Sequence, residues 1–186
     1  MTAVAVHVMG TLALVAVSLA VIALFQNIAS YYGLEAERVQ LSEAVEALGR
    51  GLVEAVALHT MGESNITLLE VKLPPDISGK GYTVELRGGD GEAVELVGRV
   101  VGVSLAEVVV LPNFGEGVVE PVNESLELTC GSHVITVRSR VTMPSRGAVY
   151  VAVLRAGDAQ LVGFVQERLG REEVEAISSG ACSWGG

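Results

Sequence analysis

The sequence predicts an α+β protein: one long N-terminal helix, first hydrophobic and then amphipathic, followed by an antiparallel β-sandwich of the immunoglobulin-like kind. Three observations support this prediction: a charge-free apolar start, a helical apolar repeat behind it, and short Val-rich runs separated by turn-forming residues. We expect four regions along the 186 residues: a transmembrane or filament-core helix (1–34), its amphipathic continuation (35–62), the β-sandwich (63–168) and a C-terminal tail (169–186).

The N-terminal region is long enough to cross a membrane. Residues 1–34 contain no Asp, Glu, Lys or Arg, and the first formal charge is Glu35. The densest apolar part, residues 3–25, would span about 34 Å as a helix, which is close to the thickness of the hydrocarbon core. Tyr31 and Tyr32 follow, and such residues are typical of the membrane–water interface.

Three interpretations of this segment compete. A retained membrane anchor, or an equivalent helix in a filament core, is favoured over a cleaved signal peptide, because signal peptides begin with basic residues and none of the first 37 residues is Lys or Arg. The signal-peptide alternative has small residues near 28–30 for cleavage. The third alternative is a helix buried in a soluble core, although such helices seldom run this far without a charge.

Small residues form a stripe along the apolar helix, with spacings of three and four residues. Small side chains let helix backbones approach closely in an apolar medium, so we interpret the stripe as a self-association face. The alternative is that Ala is simply common in apolar helices. The stripe comprises Ala13, Ala16, Ala20, Ala23 and Asn27, and a neighbouring stripe of larger residues comprises Leu12, Val15, Leu19 and Ile22.

A second apolar stripe continues the helical period beyond the charge-free segment, and we expect it to pack against helices of other copies. Gly49 and Gly51 each cost about 1 kcal/mol in a helix interior, which predicts a soft spot or bend between them. Residues 61–65 are expected to end the helix. The stripe comprises Leu34, Leu41, Val45, Leu48, Leu52 and Val56.

After Asn65, runs in which apolar and polar residues alternate predict strands with one buried face. Turn-forming clusters such as 88–91 and 156–158 separate these runs, and this close spacing favours an antiparallel sandwich that carries its own core. A short helix is predicted at 171–177. The predicted strands are 66–73, 82–86, 92–97, 101–111, 118–121, 126–130, 133–141, 148–154 and 161–166.

The composition argues against several functional classes. The 12 basic and 22 acidic residues give a net charge of -10, which disfavours nucleic-acid binding because that depends on Lys and Arg. No nucleotide-binding, zinc-protease or nucleophile-elbow motif occurs, so we expect no cofactor, no metal site and no enzymatic activity, with an enzyme as a remaining alternative. The weak candidates, which ordinary structure also explains, are Cys130 with His133, His7, His59, Asp90, and the group Glu167, Glu172, Glu173 and Glu175.

Two features bear on the compartment. Asn65 and Asn123 each begin an Asn-X-Ser/Thr triplet in a predicted loop, so both are candidate N-glycosylation sites. Cys130 and Cys182 are the only cysteines, and we predict that they form a disulfide, with two free buried thiols as the alternative. Closing a loop of about 50 residues stabilises a fold by roughly 4 kcal/mol in the chain-entropy model.

The chain resembles the archaeal type IV pilin-like proteins, which include adhesive pilins, archaellins and archaellum stator-type proteins. The charge-free start, its amphipathic continuation through Glu35 to Leu58 and the Val-rich region behind it carry the resemblance. Residues 73–84, Leu-Pro-Pro-Asp-Ile-Ser-Gly-Lys-Gly-Tyr-Thr-Val, are also similar to the start of the β-region in that family. The resemblance implies helices that bundle into a filament core or membrane anchor, with β-domains that face outside. It also implies either that Met1 is the mature end or that the helix is an uncleaved anchor.

We therefore expect a structural subunit of an extracellular archaeal type IV pilus-like filament, which lies in membrane lipid before assembly and associates with itself through its N-terminal helix. The alternative is a single-pass anchored extracellular module, stator-like or binding a cell-envelope protein, that does not polymerise. In that alternative the apolar stripes would pack on the chain's own β-domain.

Overall fold

One long helix precedes two β-sheets in the computed structural model of the protein. The chain divides into two compact units, Met1–Val39 and Gln40–Gly186, and the helix contributes residues to both. Side chains are described from Val8 onward, apart from that of Trp184. The described residues are 2–62, 64–88, 93–111, 119–130, 133–144, 148–157, 159–167, 169–170, 172–173, 177 and 182–184.

Helix α1, Thr2–Met61, is a single element, so the amphipathic region does continue the apolar helix. It ends where the sequence predicts: the backbone N of Gly62 donates hydrogen bonds to the carbonyls of Leu58 (3.0 Å) and His59 (3.3 Å). The Arg155 guanidinium donates to the Gly62 carbonyl at 3.3 Å, which places a cation at the negative end of the helix dipole.

The strands after the helix form two sheets. In the first, the order is β1-β9-β10-β7-β6-β11, and β5 pairs in parallel with one part of β10; in the second, the antiparallel order is β4-β3-β2-β8. The bounds are β1 Ile66–Val71, β2 Tyr82–Gly88, β3 Val94–Val100, β4 Ala106–Val110, β5 Val119–Pro121, β6 Ser125–Cys130, β7 His133–Arg138, β8 Arg140–Met143, β9 Val149–Ala156, β10 Ala159–Val165 and β11 Cys182–Trp184.

The predicted strand 133–141 is two strands, because the chain changes sheets at Ser139. β7 belongs to the first sheet and β8 to the second. The backbone N of Ser139 donates to the Glu124 carbonyl (3.1 Å), and the Ser139 carbonyl accepts from the backbone N of Leu86 (2.7 Å). Apolar and polar residues continue to alternate across Ser139, so the periodicity alone predicts a single strand.

Other predicted elements also differ in their bounds. The predicted strand 101–111 begins only at Ala106, because residues 101–104 form a turn in which Gly102 has a φ of 80°. The strand β11 lies in the predicted tail. Most of the predicted helix 171–177 and of the predicted turn 88–91 lies outside the described residues, as does Asp158 of the other turn.

The second half of α1 supplies the centre of the core. Its stripe of buried side chains shares one cluster with residues of both sheets, such as Leu96 of β3 and Val151 of β9. The β-region therefore shares this cluster with α1, whereas the prediction placed a self-contained sandwich from residue 63 onward. The helical members of the cluster are Leu41, Ala44, Val45, Leu48, Leu52, Ala55 and Val56.

Glycine positions explain how closely the helix and the sheets approach each other. A Cβ at Gly51 would lie 2.5 Å from Val71 Cγ2 of β1, and one at Gly49 would lie 3.2 Å from Leu111 Cδ2. On the sheet side, a Cβ at Gly98 would overlap the Val45 side chain. The two helical glycines thus serve close packing, and the predicted soft spot does not interrupt the helix.

The opposite side of β9 and β10 is also buried. Val151 and Val153 belong to the cluster around the helix, whereas Ala152 and Leu154 belong to a second cluster that includes Leu128 of β6 and residues of β7. Such burial on both faces explains why β9 reads as a nearly continuous apolar run rather than an alternating one.

Residues 73–84, which carry part of the family resemblance, form a tight connection into β2. Gly79 has a φ of 77° and its backbone N donates to Asp76 Oδ1 at 2.8 Å. The Tyr82 hydroxyl, buried at the start of β2, donates to the Pro74 carbonyl at 2.8 Å. From α1, Gln40 Oε1 accepts a hydrogen bond from the backbone N of Ser78 at 3.2 Å.

Candidate interaction surfaces

The apolar segment of α1 is one continuous exposed surface. Residues 8–36 are all exposed, and they contain no charged side chain before Glu35. Within the described part of the chain, α1 is the one helix long and apolar enough to cross a membrane. Exposed apolar surface of this extent is costly in water, and its length and composition suit a membrane anchor.

The Ser and Thr hydroxyl groups of residues 8–36 are hydrogen-bonded to the helix itself. Each donates to a backbone carbonyl three or four residues earlier, which removes the penalty of a free hydroxyl in an apolar medium. The pairs are Thr11 with Val8 (2.9 Å), Ser18 with Leu14 (2.8 Å) and Ser30 with Gln26 (2.9 Å). The helix is thus chemically compatible with a membrane or with other apolar helices around it.

The predicted small-residue stripe lies within this surface. Its members, Ala13, Ala16, Ala20, Ala23 and Asn27, are all exposed, and so is the neighbouring stripe of larger residues. Exposure alone therefore does not distinguish the two stripes. Tyr31 and Tyr32, at the end of the charge-free segment, are exposed and contact each other edge to face at 5.9 Å between ring centroids.

The second predicted stripe is not one surface. Leu34 is exposed at 51%, whereas the other five members are buried in the compact unit that begins at Gln40. The side chains of those five residues pack against the chain's own sheets, so their burial needs no helix from another copy. They are Leu41, Val45, Leu48, Leu52 and Val56.

A second exposed apolar surface lies at the edge of the four-stranded sheet. The strand β4 is the outermost strand there, and its Val108 and Val110 are exposed at 52% and 59%. An open groove of about 430 Å³ runs between β4 and the helix. Its apolar lining includes Gly49, Val53 and Val109, and its charged lining residues are Glu46, Arg50 and Glu54.

The buried stripe of α1 extends one turn further than predicted, to His59. This side chain is fully buried, and its Nδ1 lies 2.9 Å from Thr67 Oγ1 of β1. Its Nε2 has no hydrogen-bond partner among the described residues. The spacing from Val56 was the available signal, because three residues further along a helix lies on the same face.

The predicted candidates for chemistry are placed as follows. Cys130 is bonded to Cys182, which confirms the predicted disulfide and removes Cys130 as a metal ligand. His133 lies 3.4 Å from the carboxylate of Glu173 and 4.0 Å from that of Glu172.

The remaining candidates lie apart or outside the description. Glu167 accepts a hydrogen bond from the backbone N of Thr136. Among the described residues no three His, Cys, Asp or Glu side chains come together as a metal site. Asp90, Glu175 and the side chain of His7 lie outside the described residues.

The disulfide ties the end of the chain to the first sheet. Cys182 pairs with Cys130 in the β-ladder between β11 and β6, and Trp184 pairs with Leu128. Both candidate glycosylation residues, Asn65 and Asn123, are exposed and lie in connections before β1 and β6, where a glycan would have access.

The exposure of β4 at the edge of a sheet was not predicted, although a strand was predicted there. The run Val108-Val109-Val110 indicates an apolar strand, but the position of a strand at the edge of a sheet depends on non-local pairing.

Comparisons with protein-family models, with curated proteins and with solved structures each find no match to this chain.

Proposed function

We propose that this chain is a structural subunit of an extracellular archaeal type IV pilus-like filament that assembles through its N-terminal helix. The observation that carries the proposal is the charge-free apolar surface of residues 8–34, all of it exposed. A surface of this kind needs a membrane before assembly and apolar helices around it afterwards, and helix packing in apolar surroundings favours small residues such as Ala16 and Ala20.

The β-domain faces outside in this proposal and provides the filament surface. Three features support an extracellular setting: the disulfide between Cys130 and Cys182, and the exposed glycosylation triplets at Asn65 and Asn123. The proposed role is structural rather than catalytic. An immunoglobulin-like arrangement of the two sheets belongs to the same proposal.

A membrane-anchored module that does not polymerise is the second candidate. The burial of Leu41 to Val56 in the chain's own core favours it. One of the two stripes that were expected to contact other helices packs against this chain's own sheets instead. In this case the apolar segment anchors a stator-like or binding domain, and the β-domain holds a cell-envelope protein.

Electron microscopy of purified full-length protein after detergent removal separates the two candidates. The wild type is compared with the double variant Ala16→Leu and Ala20→Leu, which adds bulk on the small-residue stripe. Overpacking costs about 1–3 kcal/mol per site and recurs at every subunit, so filaments should be lost. Membrane insertion should persist, because Leu is at least as apolar as Ala.

The matched control is Val15→Leu with Ile22→Leu, which changes the neighbouring stripe of larger residues and should assemble like the wild type. Filaments in the Ala-stripe variant, with the same abundance as in the control, would show that the stripe is only compositional. The absence of filaments from every sample, with the wild type remaining membrane-bound, would favour the anchored module.

A further inference from the structure

The two Asn-X-Ser/Thr triplets of this chain, which begin at Asn65 and Asn123, lie in different structural surroundings. Such triplets require Ser or Thr as the third residue, so the glycosylating enzyme must reach a hydroxyl group as well as the asparagine amide. Both asparagines are exposed. The accessibility of the second and third residues therefore decides which triplet the enzyme can use in the folded protein.

The Asn65 triplet continues directly into a paired strand. Ile66 is exposed at only 5% and belongs to the second cluster, on one side of the first sheet. Successive side chains of a strand point to opposite faces, so Thr67 lies on the other side. Its Oγ1 lies 2.9 Å from Nδ1 of the buried His59. The hydroxyl that the enzyme must reach is thus engaged between β1 and α1.

Backbone hydrogen bonds hold the same triplet in place. Thr67 lies opposite Val153 in the antiparallel ladder between β1 and β9. The backbone N of Arg155 donates to the Asn65 carbonyl at 3.0 Å, so the backbone contacts extend to the asparagine itself. Presentation of this triplet to an enzyme therefore requires β1 to separate locally from β9 and α1, and such local opening costs free energy.

The Asn123 triplet stays at the surface through all three residues. Asn123, Glu124 and Ser125 are each exposed. Glu124 has a φ of 58°, and the backbone N of Ser125 donates to the Asn123 carbonyl at 2.7 Å, so the chain makes a tight turn before β6. Among the described residues, no hydrogen bond engages the Ser125 hydroxyl. Both groups that the enzyme must contact are therefore accessible without unfolding.

We propose that Asn123 is the glycan acceptor of the folded protein, and that the Asn65 triplet is inaccessible once β1 has paired with β9. The enzyme is an oligosaccharyltransferase, and the donor is an oligosaccharide linked through phosphate to a lipid. The Nδ2 atom of Asn123 forms a bond to the anomeric carbon of the first sugar. The bond from that carbon to the lipid phosphate breaks, and one amide proton passes to a base of the enzyme.

This inference goes beyond the proposed function, because it holds equally for a filament subunit and for an anchored module. It assigns different roles to two triplets that are equivalent by sequence. Asn65 accepts a glycan only on a chain in which β1 is still unpaired, whereas Asn123 accepts one before or after folding.

Glycosylation of the folded full chain in detergent micelles by a purified transferase tests this assignment. The transferase and its lipid-linked donor are chosen because they modify two synthetic peptides, 61–71 and 119–129, so that both triplets are acceptable as sequences. Peptide mass spectrometry measures the rate at each site. We expect modification of Asn123. Asn65 should react at least about tenfold more slowly than its own peptide, because only the locally open fraction is accessible.

Two conservative variants provide the matched control, since each removes one acceptor and keeps an amide side chain at the surface. Asn123→Gln should remove nearly all glycan from the folded chain, whereas Asn65→Gln should leave the amount unchanged. Cooperative urea unfolding of each sample verifies that it is folded. Modification of Asn65 in the folded chain as fast as in its peptide would overturn the proposal, and so would an unmodified Asn123.

Discussion

His59 is a buried titratable side chain at the last turn of α1. One ring nitrogen is bonded to Thr67 and the other has no partner among the described residues. Burial, and then the positive charge of nearby Arg155, hold the pKa of His59 below its usual range. The neutral imidazole is therefore the form that the fold accommodates.

This arrangement predicts that the free energy of unfolding decreases as pH falls. The unfolded chain binds a proton at His59 near its ordinary pKa of 6.5, while the folded chain binds it only at lower pH. Between those two pH values the unfolded state holds more protons, so stability is complete above about pH 6.5 and is lost progressively below it. Urea unfolding of the full chain in micelles from pH 8 to pH 5 measures this slope.

His59→Asn is the control for that slope. Asn can keep a hydrogen bond to Thr67 but does not titrate, so its stability should be lower at all pH values and flatter between pH 8 and pH 5. The range avoids interference from Glu85, whose pKa is lowered mainly by its hydrogen bond to Arg87 and so affects stability only in more acidic solution. A slope that is the same in both proteins would refute the role of His59.

Single residues differ in how far the sequence predicts them. The disulfide was predictable because Cys130 and Cys182 are the only cysteines and both follow the apolar helix. The burial of His59 was hidden because a polar residue does not appear in an apolar pattern, even though its spacing continues that pattern. The unpaired Nε2 depends on which strands face the helix, and local sequence holds no information on that pairing.

The contact between α1 and the sheets depends on close backbone approach at Gly51. A Cβ there would lie 2.5 Å from a methyl group of Val71, which as a β-branched residue has little rotamer freedom to move away. We predict that Gly51→Ala destabilises the fold. Overpacking of about 1–3 kcal/mol should exceed the roughly 1 kcal/mol that Ala contributes through helix propensity.

Gly33→Ala is the matched control for that prediction, since it lies in the same helix and a Cβ there meets nothing within 4 Å. This change should leave stability the same or raise it by up to about 1 kcal/mol. The midpoint of urea unfolding measures both variants. A Gly51→Ala protein as stable as the wild type would show that the helix and β1 adjust without cost.

At the scale of elements, the presence of a helix or strand was easier to predict than the residues at which it begins and ends. The helix and most strands follow from periodicity, but the split at Ser139 does not, because alternation continues through it while the chain changes sheets. Gly49 and Gly51 suggested a bend by propensity, whereas their role is set by neighbours far along the chain. Propensity is local, and tertiary packing overrides it here.

For the whole molecule, the core requires part of the helix. The buried residues from Leu41 to Val56 would be lost from any fragment that begins after α1. Removal of one large core side chain typically costs 2–5 kcal/mol, and a domain of this size has about 5–15 kcal/mol of stability in total. The sheets alone therefore cannot be expected to fold.

Two fragments test this requirement. The fragment 40–186 should be soluble and should unfold cooperatively in plain buffer, while the fragment 63–186 should lack a cooperative transition. The full chain should need detergent or assembly, because residues 8–34 stay exposed. Circular dichroism with urea titration measures all three. A cooperatively folded 63–186 fragment would contradict the role assigned to the helix in the core.

The overall class was predictable, and the assembly of the layers was not. A charge-free start and Val-rich runs indicate one helix and many strands from composition and periodicity. That Leu48 and Leu52 meet the chain's own sheets, rather than another helix, depends on a choice between intramolecular and intermolecular burial. An amphipathic pattern is the same in both cases.

The pairing of β1 with β9 has a consequence for how the chain is made. Ile66 lies opposite Leu154 and Val71 opposite Val149, so β1 leaves the ribosome long before its neighbour exists. At a translation rate of about 5–20 residues per second, the wait lasts several seconds. During that time the apolar stripe of α1 also lacks the β9 side chains that complete its core. The exposed apolar residues of the nascent chain therefore need protection from aggregation, by a chaperone or by early membrane insertion, until β9 has been synthesised.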